Sequence, residues 1–92
     1  VIAAVIQNNL AQIKYCYERQ LVAEPDLFGK VVVKWDINAQ GLVEGTTVKQ
    51  TTLASAPVEK CMMSKISGWK FPQPKNGSRV TVTYPFLFKS TR

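Results

Sequence analysis

Two cysteines, Cys16 and Cys61, constrain this chain of 92 residues more than any other feature. Each lies on the apolar face of a segment with helical periodicity, and 45 positions separate them. Because the chain has no histidine and no CxxC spacing, the pair suits a disulfide better than a metal site. Two buried free thiols are the alternative, since cysteine is often buried. A disulfide would clamp helix to helix and would indicate an oxidising compartment, such as the periplasm or the extracellular space.

Length and composition favour one small domain over residues 1–92, with an apolar fraction of 46%. The apolar run at the start stops after six residues, which is too short to span a bilayer. Because the chain opens inside a helical pattern without Met, we expect a domain excised from a longer, membrane-anchored protein.

The net charge of +6 favours acidic partners, such as nucleic acid, anionic lipid, peptidoglycan or an acidic protein face. The lysines are scattered, however, and no run of four basic residues occurs. A charged surface that keeps the domain in solution is therefore the simpler interpretation.

Apolar periodicity predicts five elements in the order helix, strand, strand, helix, strand. They are a helix over residues 1–23, strands over 30–37 and 42–53, a helix after Ser55, and a last strand over 79–88. Gly41 supplies a turn between the first two strands, and Gly45 predicts a β-bulge in the second.

The element order predicts an α+β fold of two layers. The first two strands form an antiparallel hairpin, and a right-handed crossover brings the third strand beside the first. The expected sheet is therefore three-stranded and antiparallel with the spatial order 2-1-3, and both helices cover one face. That arrangement allows the two cysteines to meet.

Pro85 marks the last strand as an edge strand, because proline cannot donate to a β-ladder. The proline and its charged neighbours could blunt this edge, or the edge could pair with a strand of a partner. The pattern leaves both open. The candidate partner-binding residues are Arg79, Val80, Thr81, Val82, Thr83, Tyr84, Pro85, Phe86, Leu87 and Phe88.

Catalytic patterns are missing from the sequence. Without histidine, catalytic triads and His-based metal sites are excluded, and neither a GxSxG motif nor a Gly-rich phosphate loop occurs. The six carboxylates form no convincing pair along the sequence, so we expect a non-enzyme without metal or cofactor. Trp35, Tyr84 and Phe86 could stack on bases, but the element order and the missing RNP1 pattern argue against nucleic-acid binding.

Several stretches together resemble the AgmX/PglI-type C-terminal domain, a family similar to the TonB C-terminal domain. They are Cys16-Tyr17-Glu18-Arg19, the stretch from Pro25 to Val31, Gly41-Leu42-Val43, the helix with Cys61, Trp69-Lys70-Phe71-Pro72, and the run from Val80 to Phe86. The resemblance covers nearly the whole chain in the right order.

The resemblance implies a domain that ends a longer protein, anchored in the inner membrane and crossing the periplasm. Relatives occur in the gliding-motility machinery of myxobacteria. TonB carries work from a proton-driven inner-membrane motor to outer-membrane transporters, by pairing its last strand with a short segment of the transporter. On this chain that strand is Val80–Phe88. TonB has a Tyr-Pro motif ahead of the domain and lacks the cysteine pair, so the partner here need not be a transporter.

We therefore expect a periplasmic coupling module of a motor-driven, envelope-spanning machine, most simply one for gliding motility. Its partners would be outer-membrane or periplasmic proteins of the same machine, bound by strand addition, with the motor reached through upstream regions. The same edge could instead pair with a second copy in a homodimer. The alternative is a passive scaffold or adhesion domain that binds peptidoglycan or an acidic envelope protein through its basic surface.

Overall fold

The computed structural model describes residues 2–89, and within them two helices, two strands, a third helix and a third strand follow one another in an α+β fold. The helices are α1 (Ile2–Asn8), α2 (Leu10–Leu21) and α3 (Ala56–Ser67). The strands are β1 (Gly29–Ile37), β2 (Val43–Thr51) and β3 (Val80–Phe88), and a 3₁₀ turn covers Lys75–Gly77. The predicted strands and the second predicted helix are therefore present, with ends that shift by a few residues.

The predicted first helix is wrong in one respect, because it is broken at Asn9 into α1 and α2. The side-chain amide of Asn9 donates to the carbonyl of Val5 at 2.8 Å, and the backbone N–H of Asn9 turns to Ile6 at 3.1 Å. A side chain that competes for a backbone carbonyl in this way interrupts the helical ladder. Val1, the first residue of the predicted helix, lies outside the described residues.

The sheet has the predicted order β2-β1-β3, and both pairings are antiparallel. The pairing of β1 with β2 shifts register twice, once near Gly45, whose φ is 62°, and once opposite Val32 and Val33. The predicted bulge at Gly45 is thus confirmed. Gly41 has a φ of 83°, as its turn requires, and a Cβ there would collide with the carbonyl oxygen of Phe71.

The hydrophobic core lies between the helices and one face of the sheet. Alternate residues of β1 are fully buried, whereas their neighbours are only half-buried: Val31, Val33, Trp35 and Ile37 face the core. Trp35 lies at its centre and meets Trp69 edge-on, with ring centroids 6.1 Å apart. The helix predicted after Ser55 is α3, and it buries Val58, Met62 and Ile66 in the same core.

Two contacts fix α2 against α3 and the residues that follow it. Cys16 and Cys61 form a disulfide whose Cα atoms lie 5.6 Å apart. The indole N–H of Trp69 donates to the side-chain oxygen of Gln12 at 2.9 Å. The position of α2 above the sheet is therefore set by a covalent bond and a hydrogen bond, in addition to apolar packing.

Candidate functional site

β3 forms one edge of the sheet. All nine of its residues pair with β1 in unbroken register, from Val80 opposite Ile37 to Phe88 opposite Gly29. Within residues 2–89, no strand pairs with the other side of β3. The edge therefore offers an uninterrupted run of backbone to the solvent.

The outward-facing backbone groups of β3 follow from the pairing of β1. The carbonyl of Lys30 accepts the N–H of Thr52 at 2.8 Å, so the backbone of Lys30 faces away from β3 and toward the β2 side. Directions alternate along a strand, and Val32 therefore also turns its backbone away from β3.

The partners of these residues on β3 must turn their N–H and C=O groups to the open edge. Leu87 pairs with Lys30, Pro85 with Val32 and Thr83 with Lys34. Pro85 thus stands where its missing N–H costs the sheet nothing, but it removes one donor from the open edge. A partner strand would find the donors of Thr81, Thr83 and Leu87, and none at position 85.

The side chains of β3 alternate between two environments. Those that face the helices become more buried along the strand, from the half-buried Val80, Val82 and Tyr84 to the buried Phe86 and Phe88. The others lie on the opposite face and are exposed: Thr81, Thr83, Pro85 and Leu87. This alternation is the one expected of a strand with one face on the core, as predicted for the last strand.

A groove runs between α2 and β3 beside the open edge. It consists of two adjoining cavities of about 220 Å³ each, which share Lys14, Leu87 and Phe88. Leu10, Ile13, Tyr84, Pro85 and Phe86 line the first; Tyr17, Glu18, Leu21 and Lys89 line the second. We call this the α2–β3 groove. The sequence analysis missed it, because it depends on how far α2 stands from the last strand.

Tyr17 forms the floor at one end of the groove. Its ring stacks on Phe88 with centroids 4.8 Å apart, and its hydroxyl donates to the carbonyl of Leu27. Burial raises the pKa of this hydroxyl, so the phenol stays neutral and remains a donor. The stacked pair holds the end of β3 against α2.

An ion-pair network joins the three strands at the other end of β3. Arg79 lies 2.7 Å from a carboxylate oxygen of Glu44 and 3.4 Å from one of Asp36. Thr81 donates its hydroxyl to Asp36, and Asn38 donates its amide to Glu44, both at 2.8 Å. The candidate residues Arg79 and Thr81 therefore already have partners within the domain.

The network shifts the pKa of its members. The pKa of Asp36 lies below its ordinary value, first because of the hydrogen bond from Thr81 and then because of the charges of Lys34 and Arg79. The pKa of Glu44 is also lowered, by the hydrogen bond from Asn38 and then by Arg79. Both carboxylates are thus held in the charged form. Their clustering was invisible in the sequence, where Asp36 and Arg79 are 43 positions apart.

Two kinds of feature are missing from the part of the chain that the structure describes. In residues 2–89, no three Cys, Asp or Glu side chains lie together in a way that could hold a metal ion. Across the same residues, none of the helices combines the length and the apolar character that a bilayer crossing requires.

Comparison with solved structures identifies the fold. The chain superimposes on the C-terminal domain of TonB from Pseudomonas aeruginosa with a TM-score of 0.61 and 21% identity, over 80% of this chain and 76% of that one. The TonB C-terminal domain of Helicobacter pylori gives a TM-score of 0.65 and 18% identity, over 96% of each chain. This chain has the TonB C-terminal-domain fold. No protein-family model and no curated protein matches its sequence.

The fold comparison confirms the TonB-like part of the expectation. The finer resemblance to the AgmX/PglI type stays a prediction, as does the role of residues 79–88 in binding a partner. The structure places residues 80–88 on one continuous edge of the TonB-like domain, beside the α2–β3 groove.

Proposed function

We propose that this TonB-like domain is a non-catalytic, periplasmic protein-interaction module that binds a partner by adding a strand to β3. The observation that supports this most is the unbroken edge of nine residues, whose outward donors at Thr81, Thr83 and Leu87 have no strand beside them within residues 2–89. Backbone hydrogen bonds would provide affinity, and the side chains along the edge would provide selectivity.

The proposed module belongs to an envelope-spanning, motor-driven machine, and the resemblance to the AgmX/PglI type favours gliding motility. A β-ladder that is pulled along its strands shares the load over several hydrogen bonds. The disulfide between α2 and α3 would keep the helical layer from separating under such a load. It also fits the oxidising environment of the periplasm. The proposed partners are outer-membrane or periplasmic proteins of that machine.

Peptide mapping tests this proposal directly. Overlapping peptides from the periplasm-facing segments of envelope proteins are titrated into the isotope-labelled domain, and amide shifts are followed by NMR. We expect the largest shifts at the outward amides of β3, with protection from exchange at Thr81, Thr83 and Leu87. Shifts confined to β2 or to the outer surface of α3 would contradict strand addition at β3.

A passive scaffold that binds an acidic envelope polymer is the second candidate, and one surface favours it. Arg19, Lys60 and Lys65 line a shallow depression next to Cys61, with Ser64 and Pro57 beside them. Binding there would weaken steeply as salt increases, whereas strand addition should change little. Titrations of peptidoglycan fragments at low and high salt, with Lys60→Gln and Lys65→Gln variants, separate the two candidates.

A further inference from the structure

We propose that the α2–β3 groove selects a partner strand in which apolar side chains alternate and one acidic side chain reaches Lys14. This inference rests on the proposed strand addition, and it specifies the chemistry of the partner that such addition would admit.

The position of an added strand places its side chains over the groove. A strand paired with β3 lies about 4.8 Å beyond it, and every second side chain points to the helical side of the sheet. On that side the added strand meets the part of α2 that carries Leu10 and Ile13, with the half-buried Tyr84 below. These surfaces are apolar, so the side chains that enter the groove should be apolar as well.

Charge at the rim of the groove adds a second requirement. Lys14 is exposed and lines both cavities, so it lies midway along the groove. Lys89 lines the second cavity, and Glu18 is the one carboxylate among the lining residues. Because two cations face one carboxylate, the rim is positive on balance, and an acidic side chain midway along the partner strand would complement it.

Pro85 weakens the backbone contribution to partner binding, so the choice of partner depends more on the side chains that enter the α2–β3 groove. An added strand loses the hydrogen bond that position 85 would donate, and Pro85 itself lines the first cavity. The backbone of β3 therefore binds a partner strand less tightly at position 85, which lies beside the apolar residues of the first cavity. Side chains that fill the groove must offset that loss, so a partner with a polar inward face should bind poorly.

Three synthetic peptides test the inference on the disulfide-bonded domain. The reference peptide alternates valine with threonine and carries one glutamate at the centre of the valine face. The second replaces that glutamate with lysine, and the third replaces the valines with serines. All three have the same backbone capacity for hydrogen bonds. Affinity is measured by NMR titration, which also reports which amides shift.

We expect the reference peptide to bind at β3, about threefold more tightly than the lysine peptide and about tenfold more tightly than the serine peptide. Lys14→Gln should abolish the preference for glutamate over lysine, and the matched Lys60→Gln variant on α3 should retain it. Both lysines are exposed, so neither substitution should unfold the domain.

The outcomes separate this inference from the proposed function. Equal affinity of the three peptides at β3 would overturn the selectivity but leave strand addition intact. No shift at β3 with any peptide, or shifts at β3 that depend on protein concentration alone, would overturn both, the latter by showing that a second copy occupies the edge. A preference for glutamate that survives Lys14→Gln but is lost in Lys60→Gln would move the acidic contact to the outer surface of α3.

Discussion

β2 and β3 are the two edges of one sheet, but they differ in how regularly their backbones pair with β1. β2 is interrupted by two bulges, one at Gly45, and α3 packs against it. There the carboxylate of Glu59 accepts hydrogen bonds from the hydroxyl of Thr51 and the N–H of Ser55, at 2.9 Å and 3.1 Å. β3 continues through nine paired residues without a bulge.

This difference favours β3 over β2 as the edge to which a partner strand could be added. Bulges twist an edge and disrupt its spacing, so they hinder the addition of another strand. β2 carries two of them, and β3 has only the missing donor of Pro85. In β3, Pro85 alone hinders the addition of another strand. It would weaken non-specific pairing but leave the other outward-facing backbone groups of the edge available.

The largest expected effect concerns the disulfide that joins α2 to α3. Reduction of the disulfide between Cys16 and Cys61 should lower the free energy of unfolding by up to about 4 kcal/mol, because the bond closes a loop of 45 residues in the unfolded chain. Urea unfolding with and without reductant measures this loss. The double variant Cys16→Ser, Cys61→Ser is the control and should not respond to reductant. Equal midpoints after complete reduction would contradict the prediction.

A pair of proline substitutions tests which backbone groups of β3 face outward. Val82→Pro should cost about 3 kcal/mol, because Val82 turns its N–H toward β1. Thr83→Pro should cost only about 1 kcal/mol, because its N–H faces the open edge, but it should weaken partner binding.

Urea unfolding of both proline variants gives the comparison. Val82→Ala is the control for the loss of the half-buried valine side chain. If Thr83→Pro were the more damaging of the two, the outward direction assigned to positions 83, 85 and 87 would be wrong.

Restoring the backbone N–H that Pro85 lacks should increase pairing at the β3 edge. Pro85→Thr adds an outward N–H to the only position of the outward series that lacks one, so we expect more self-association, seen by sedimentation. The free energy of unfolding should decrease by only about 1 kcal/mol, because the unfolded chain becomes less restricted and no hydrogen bond within the domain is gained. Leu87→Thr is the matched control, because it places the same threonine side chain on the same strand face without adding a backbone N–H. Equal association of both variants would show that side-chain polarity, and not the donor, controls pairing.

The difference between the edges was only partly predictable from the sequence. The alternation of Val31, Val33 and Trp35 predicted the central strand, and Gly45 predicted a bulge, because local backbone and burial preferences determine both. The break at Asn9 was missed because an apolar stripe continues through it, and periodicity does not report a side chain that competes for a carbonyl.

The surroundings of the open edge depend on contacts between distant parts of the chain. The α2–β3 groove forms where residues near position 14 face residues near position 87, and the width of that gap follows from packing rather than pattern. Likewise, Glu44 and Arg79 meet only because β2 and β3 flank the same strand. Their sequence positions carry no signal of the meeting.

The smallest expected effect concerns the network at the other end, where Arg79 connects the two edges across β1. Asp36 and Glu44 have pKa values below their ordinary 3.8 and 4.5, so the folded state binds protons less readily than the unfolded state. Their contribution to stability is therefore present above those ordinary values and is lost as the pH falls through them to the lowered pKa values. The melting temperature should decrease on acidification.

Arg79→Gln should make that decrease shallower without removing it, because the hydrogen bonds from Thr81 and Asn38 still lower the two pKa values. Thermal unfolding over a series of acidic buffers measures both slopes. Arg19→Gln is the matched control, since that guanidinium lies 5.7 Å over the ring of Tyr15, on another part of the surface. The same slope in Arg79→Gln and in the unsubstituted chain would mean that Arg79 does not couple the two edges, and that the hydrogen bonds from Thr81 and Asn38 account for the two lowered pKa values without it.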